Sequence, residues 1–211
     1  PCMWLNHPTH RFVRLAIAAV AVAVAVAATA AVSAQTQATE YTVVSSFNAA
    51  FLNGRAPSSL RQDSDGTFYG TTSFGGVTDQ GNLFRMDATG AVTLLETFSG
   101  TDGSQPFGLV RAADGQFYGM TAQGGEFGFG TVFRFNPPGE LTTLHSFSAT
   151  GSRFPVDLFP ASDGNVYGFT AGGGDFDNGT IFMVAPNGSF STIYNFDLKA
   201  GHWQCDISKV R

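Results

Sequence analysis

Residues recur along this chain at one step of 49, and that repeat limits the fold more than any other feature. Asp65-Gly66, Asp114-Gly115 and Asp163-Gly164 fall in one column, and Tyr69-Gly70, Tyr118-Gly119 and Tyr167-Gly168 in the next. The same step carries Pro57 onto Pro106 and Pro155, Gly81 onto Gly130 and Gly179, and Phe84 onto Phe133 and Phe182. A period of this length marks stacked supersecondary units rather than one irregular domain.

Turn residues divide each copy into four short β-prone runs. In the second copy the runs expected are Phe107 to Ala112, Gln116 to Thr121, Thr131 to Phe135 and Leu141 to Phe147. Asp114-Gly115 supplies the first tight turn, the Gly124 to Gly130 loop the second, and Pro137-Pro138-Gly139 the third. Composition agrees, since 26 glycines and 21 phenylalanines against 13% charged residues disfavour helices and suit half-buried strands. Four antiparallel strands in about 50 residues describe a β-propeller blade. The expected fold is therefore all-β, with three propeller blades. Phe84, Phe133 and Phe182 are the expected core, beside Leu60, Leu109, Leu158, Leu95, Leu144 and Ile193. Gly119, on an inner strand, is expected to be less replaceable than Glu126 at a loop tip.

The expected organisation is a signal peptide or N-terminal anchor at 1–34, repeats at 35–198 and an anomalous tail at 199–211. The copies run 48–98, 99–147 and 148–196. Ahead of them residues 41–47 match a fourth strand, as a ring-closing element would. Propellers close with about four to eight blades, so the chain reads as a piece of a longer propeller, or as frameshifted after Phe196. Closure through oligomers of three-bladed chains is the alternative, and the oligomeric state is left open.

His7, His10, Arg11 and Arg14 precede an apolar run from Leu15 to Val32, and Val32-Ser33-Ala34 ends it in small residues. That pattern is a secretory signal cleaved after Ala34, or an uncleaved anchor, and either form means export to the cell surface, the periplasm or the medium. No other membrane contact is expected. Sixteen acidic residues against eleven Lys and Arg, with no basic cluster in the repeats, exclude a phosphate-backbone partner such as nucleic acid. Cys205 is alone once the signal is removed, so no thiolate metal site is expected.

With D-G-x-[FV]-Y-G-x-T-x-x-G-G, G-T-[VI]-F a few residues on and L-x-x-F closing the copy, residues Tyr41 to Phe196 resemble the bacterial choice-of-anchor tandem repeat GloVer-containing proteins. The resemblance implies an exported, propeller-like protein whose larger relatives often carry a C-terminal surface anchor. It supplies no catalytic residue.

Asp65, Asp114 and Asp163 are read as turn caps, because one Asp-Gly turn per copy is what folding alone requires. Asp175 and Asp177 alternate as calcium ligands do, yet no third acid and distal Glu complete the pattern; Ca2+ is the candidate ion there and no other cofactor is foreseen. The expected ligand contacts are Glu126, Phe127 and Phe129, with Phe176 in the third copy. Their rings lie between turn glycines, where an exposed face would stack on a sugar or pack on a protein; the competing reading folds them back over the adjoining blade. His145 shares its column with Glu96 and Tyr194, so it has no repeated chemistry and no nucleophile partner. The functional expectation is a non-catalytic repeat protein that binds a polysaccharide or protein ligand. A secreted propeller lyase or glycosidase and a purely structural surface protein are the alternatives.

Overall fold

The structure, a computed structural model, describes residues 42–44, 54–137 and 139–197. The expected signal or anchor segment and the tail at 199–211 lie outside the described residues. So does most of the leading strand at 41–47, of which 42–44 are described and carry no strand. The described strands all fall in one compact unit, Val44–Arg211. No helix among the described residues is long and apolar enough to cross a membrane.

Among the described residues twelve strands form three separate four-stranded antiparallel sheets, each in chain order. Blade 1 comprises β1 (Arg55–Gln62), β2 (Phe68–Phe74), β3 (Asn82–Met86) and β4 (Val92–Thr97). Blade 2 comprises β5 (Ser104–Arg111), β6 (Phe117–Gln123), β7 (Thr131–Asn136) and β8 (Glu140–Ser146). Blade 3 comprises β9 (Ser152–Pro160), β10 (Val166–Gly173), β11 (Thr180–Val184) and β12 (Phe190–Asn195). The chain is an all-β repeat of propeller blades. First strands neighbour one another, β1 against β5 and β5 against β9, which sets them at the inner edge of the array.

β5 starts three residues ahead of the run expected from sequence and takes in Pro106. The proline is tolerated because β5 is an edge strand and needs no N–H toward its open side. Further inside, the Tyr-Gly column is explained by what faces it. Gly70, Gly119 and Gly168 pair directly with Phe84, Phe133 and Phe182 across the middle of each sheet. A Cβ at Gly119 would overlap the Phe133 ring, so glycine and phenylalanine are two halves of one packing unit. Each added methylene in such a place forces neighbours off their rotamers.

The Asp-Gly column is a turn device, as expected. Gly115 has φ +81°, open to glycine at no steric cost. Asp114 Oδ1 accepts the Gln116 N–H at 2.9 Å, and Asp65 and Asp163 cap Thr67 and Asn165 in the same way. Asp114 Oδ2 also accepts the Tyr118 hydroxyl at 2.9 Å, and Asp163 that of Tyr167 at 2.8 Å, so the carboxylate ties turn to strand. A threonine pair completes the frame, with Thr121 and Thr131 hydroxyls 3.0 Å apart and Thr170 and Thr180 2.9 Å apart.

Blades join through two apolar layers. Tyr69, Leu83 and Phe98 of blade 1 meet Leu109, Phe117, Phe133 and Phe135 of blade 2. Val110, Tyr118, Met120, Val132 and Phe147 of blade 2 meet Leu158, Val166, Phe182 and Val184 of blade 3. Phe84, Phe133, Phe182, Leu109 and Leu158 are buried as expected. Leu95, Leu144 and Ile193 are only half-buried. Leu60 departs from the expected core: it is 45% exposed, because the face that covers Leu109 and Leu158 has no counterpart beside blade 1 among the described residues.

Candidate functional site

Strand alternation puts the loops joining second to third strands at the same end of the array as the connections between blades. Hydrogen bonds tie the two sets together there. The Gly125 N–H donates to Gly100 O at 2.8 Å and the Gly174 N–H to Gly151 O at 3.1 Å. Gly130 O accepts the Phe147 N–H at 2.9 Å, and Gly179 O that of Phe196 at 3.0 Å. These bonds fix the feet of each loop, so its tip is held out at a defined place.

At the tips the four residues singled out from sequence separate into two kinds. Phe127 and Phe176 occupy one repeat column and are 52% and 46% exposed, so their rings stand in solvent. Glu126, exposed beside Phe127, is tethered through its own N–H to Ser146 Oγ at 3.3 Å. Phe129 folds back: it is half-buried and packs on the layer between blades 2 and 3. The loop rings therefore divide, Phe127 and Phe176 exposed and Phe129 folded back on the blade layer.

Asp175 and Asp177 are exposed with their oxygens engaged. Asp175 Oδ2 accepts from Asn195 Nδ2 at 3.0 Å. Asp177 Oδ1 accepts the Gly173 N–H at 2.9 Å and pairs with the Arg153 guanidinium. The backbone bond, then Arg153, hold the Asp177 carboxyl below its ordinary range. Among the described residues no group of three or more His, Cys, Asp or Glu is placed to hold a metal. An arginine already neutralises the one carboxylate that caps the loop.

Two residues that sequence inspection passes over join the patch. Phe154, 54% exposed, lies edge-on to Phe129 with ring centroids 6.2 Å apart, and the Arg153 guanidinium is 5.6 Å from its ring. Ala56, Gln105 and Phe154 form a column with φ between +53° and +58°, uncommon for residues other than glycine. That column repeats in backbone conformation and not in identity, so comparing letters does not reveal it. The Arg153–Asp177 pair has a twin in blade 1, where Arg55 meets Asp79 at 2.8 Å and Asp79 Oδ1 accepts the Gly75 N–H at 2.8 Å. In blade 2 the same two positions hold Ser104 and Gly128, so both partners are replaced together.

His145 is not part of this patch. Its ring stacks on Phe190 at 3.6 Å and meets Phe147 edge-on, and burial lowers its pKa. It is a packing residue.

A family model described as Gloeobacter/Verrucomicrobia repeat matches residues 25–206. No curated protein matches the sequence. Among solved structures the chain is similar to a streptogramin B lyase at 13% identity and TM-score 0.50, covering 69% of this chain and 42% of that one. It is also similar to virginiamycin B lyase from Staphylococcus aureus, at 14% identity and TM-score 0.47, covering 64% and 40%. A third is the PQQ-bound aldose sugar dehydrogenase from Streptomyces coelicolor, at 15% identity and TM-score 0.45, covering 67% and 48%. The chain thus spans about two-fifths to half the length of these structures. At such identity the likeness concerns the propeller fold alone.

Proposed function

Because the chain belongs to the Gloeobacter/Verrucomicrobia repeat family, we propose that it is an exported, non-catalytic propeller repeat protein that holds a ligand on the loop end of its blades. The single observation that carries this reading is the exposure of Phe127 and Phe176 at equivalent tips, one blade apart. An aromatic face left in water at a fixed position has a cost that packing does not recover, and a ligand that covers it does. Export rests on the N-terminal sequence pattern.

The ligand class is a polysaccharide, with a protein surface as the second choice. Sugar rings present apolar faces that stack on phenylalanine, and their hydroxyls find acceptors in Glu126 and Asp175 beside the rings. Rings one blade apart suit a ligand that itself repeats. Calcium at Asp175 and Asp177 is not needed for this mode.

A glycan array probed with the full chain tests the proposal. Retention of one family of polysaccharides, lost in the Phe127→Ser/Phe176→Ser variant, is the expected result. Silence across the array and across immobilised surface proteins, from folded material, would leave the purely structural role. Turnover of a retained glycan would instead favour the lyase or glycosidase reading.

A further inference from the structure

Between the two exposed tips, the joint of blades 2 and 3 carries rings where the joint of blades 1 and 2 carries amides. Phe129 of the blade 2 loop and Phe154 of β9 meet edge-on across the joint, their centroids 6.2 Å apart. The residues 49 positions earlier are Gln80 and Gln105, joined by a bond from the Gln105 N–H to Gln80 O at 2.8 Å. Both columns therefore change from polar to aromatic together, at one of the two joints described.

Folding alone does not ask for a ring at position 154. Gln105 fills the equivalent place half-buried, and Ala56 adopts a similar φ in blade 1, whereas Phe154 is 54% exposed at φ +58°. A bulky side chain in that conformation is strained, and here it leaves an apolar face in water. The ring is also held in place. The Arg153 guanidinium lies 5.6 Å from its centroid, donates to Ala149 O at 3.0 Å and pairs with Asp177, next to Phe176. Phe129, Phe154 and the Arg153–Asp177 pair thus form one continuous strip from the loop of Phe127 to the loop of Phe176.

We infer that Phe154 is a third ring of the ligand site, and that the ligand is an uncharged polysaccharide crossing from one tip to the other over this joint. The inference rests on the polysaccharide function proposed above and narrows it. Charge decides the class. The cations beside these loops, Arg55 and Arg153, already pair with Asp79 and Asp177, while Asp102, Glu126 and Asp175 make no ion pair among the described residues. A uronate or sulfate laid on the strip would meet these carboxylates with no cation left to receive it, which disfavours binding. An uncharged sugar stacks on the ring and turns its hydroxyls to the same carboxylates.

Titration of the full chain with a neutral polysaccharide retained on the glycan array tests it. Phe154→Gln, matching Gln105 of blade 2, should weaken binding about twofold to tenfold, the worth of one stacked ring, at an unchanged melting temperature. Phe154→Ala, matching Ala56 of blade 1, serves if the first variant does not fold. Phe159→Ser removes a ring that is 67% exposed at the far end of β9 and should leave the affinity unchanged. Retention of uronate or sulfated polysaccharides in place of neutral ones would overturn the ligand class. Full affinity in Phe154→Gln, with affinity lost in Phe127→Ser/Phe176→Ser, would overturn this inference alone. A parent chain that retains no polysaccharide would overturn it together with the proposed function.

Discussion

The stem and the tip of the hairpin β6–β7 obey different rules. In the stem, Gly119 and Phe133 are locked in a pair that recurs unchanged in every blade, and no side chain fits at Gly119 without moving a buried ring. At the tip, Glu126 to Phe129 is replaced by Asp175 to Asn178 in blade 3 and by Val77 to Gln80 in blade 1. The bonds that close the loop nevertheless recur in all three, from the N–H of Gly81, Gly130 and Gly179 to the carbonyl of Gly75, Gly124 and Gly173. A constant stem under a variable tip lets the exposed side chains change without touching the packed frame.

Substitutions at the stem and at the tip should differ widely in cost. Gly119→Val should cost about 3 kcal/mol, as overpacking a filled core does, and lower the melting temperature by roughly 6–12 °C. Glu126→Ala should stay within about 0.5 kcal/mol of the parent, as surface changes do. Equal shifts in thermal melts of the two would show that stem and tip are not separable.

A smaller effect tests the turn device. Burial, then the bond to Asp114, pushes the Tyr118 hydroxyl up to about 12. The folded state thus keeps a proton that the unfolded chain releases near pH 10, so stability present below pH 10 is lost as pH rises toward 12. Tyr118→Phe should cost about 1 kcal/mol at neutral pH, the worth of one hydrogen bond. It should also flatten the fall in denaturation midpoint between pH 10 and 12. An unchanged alkaline profile would contradict the placement.

Acid acts on His145 in the opposite sense. Its folded pKa lies below the ordinary 6.5 because burial disfavours the charged ring. The unfolded chain therefore binds the proton first, and stability present above pH 6.5 declines as pH falls below it. Exchanging His145 for Tyr, the residue at the equivalent position 194, should remove that part of the decline in a pH series of melts. The carboxylates Asp79, Asp87, Asp163 and Asp177, whose pKa values are lowered, lose their share only at more acidic pH.

Which parts could be read from the letters follows from how each constraint is met. Gly119 and Asp114 each answer a steric or capping demand that few residues satisfy, so the demand shows as a column. The Arg55–Asp79 and Arg153–Asp177 pairs are exchanged together for Ser104 and Gly128, and that gap hides them. The column of Ala56, Gln105 and Phe154 is a backbone conformation that three different side chains adopt. Leu60 misleads because a repeat comparison gives every copy the same neighbours, whereas among the described residues blade 1 has another blade on one side only. Phe127 and Phe129 look alike in sequence and part in the structure, since only Phe129 has the interblade layer within reach.

In the proposed function, exposed rings on a fixed frame carry recognition. Titration of the full chain and of Phe127→Ser/Phe176→Ser with a polysaccharide retained on the array, with melting temperature recorded on the same samples, tests it most directly. Two stacked rings at about 0.5–1.5 kcal/mol each predict a loss of affinity of roughly fivefold to a hundredfold at an unchanged melting temperature. Unchanged affinity in the variant, or a loss that merely follows a fall in melting temperature, would contradict it.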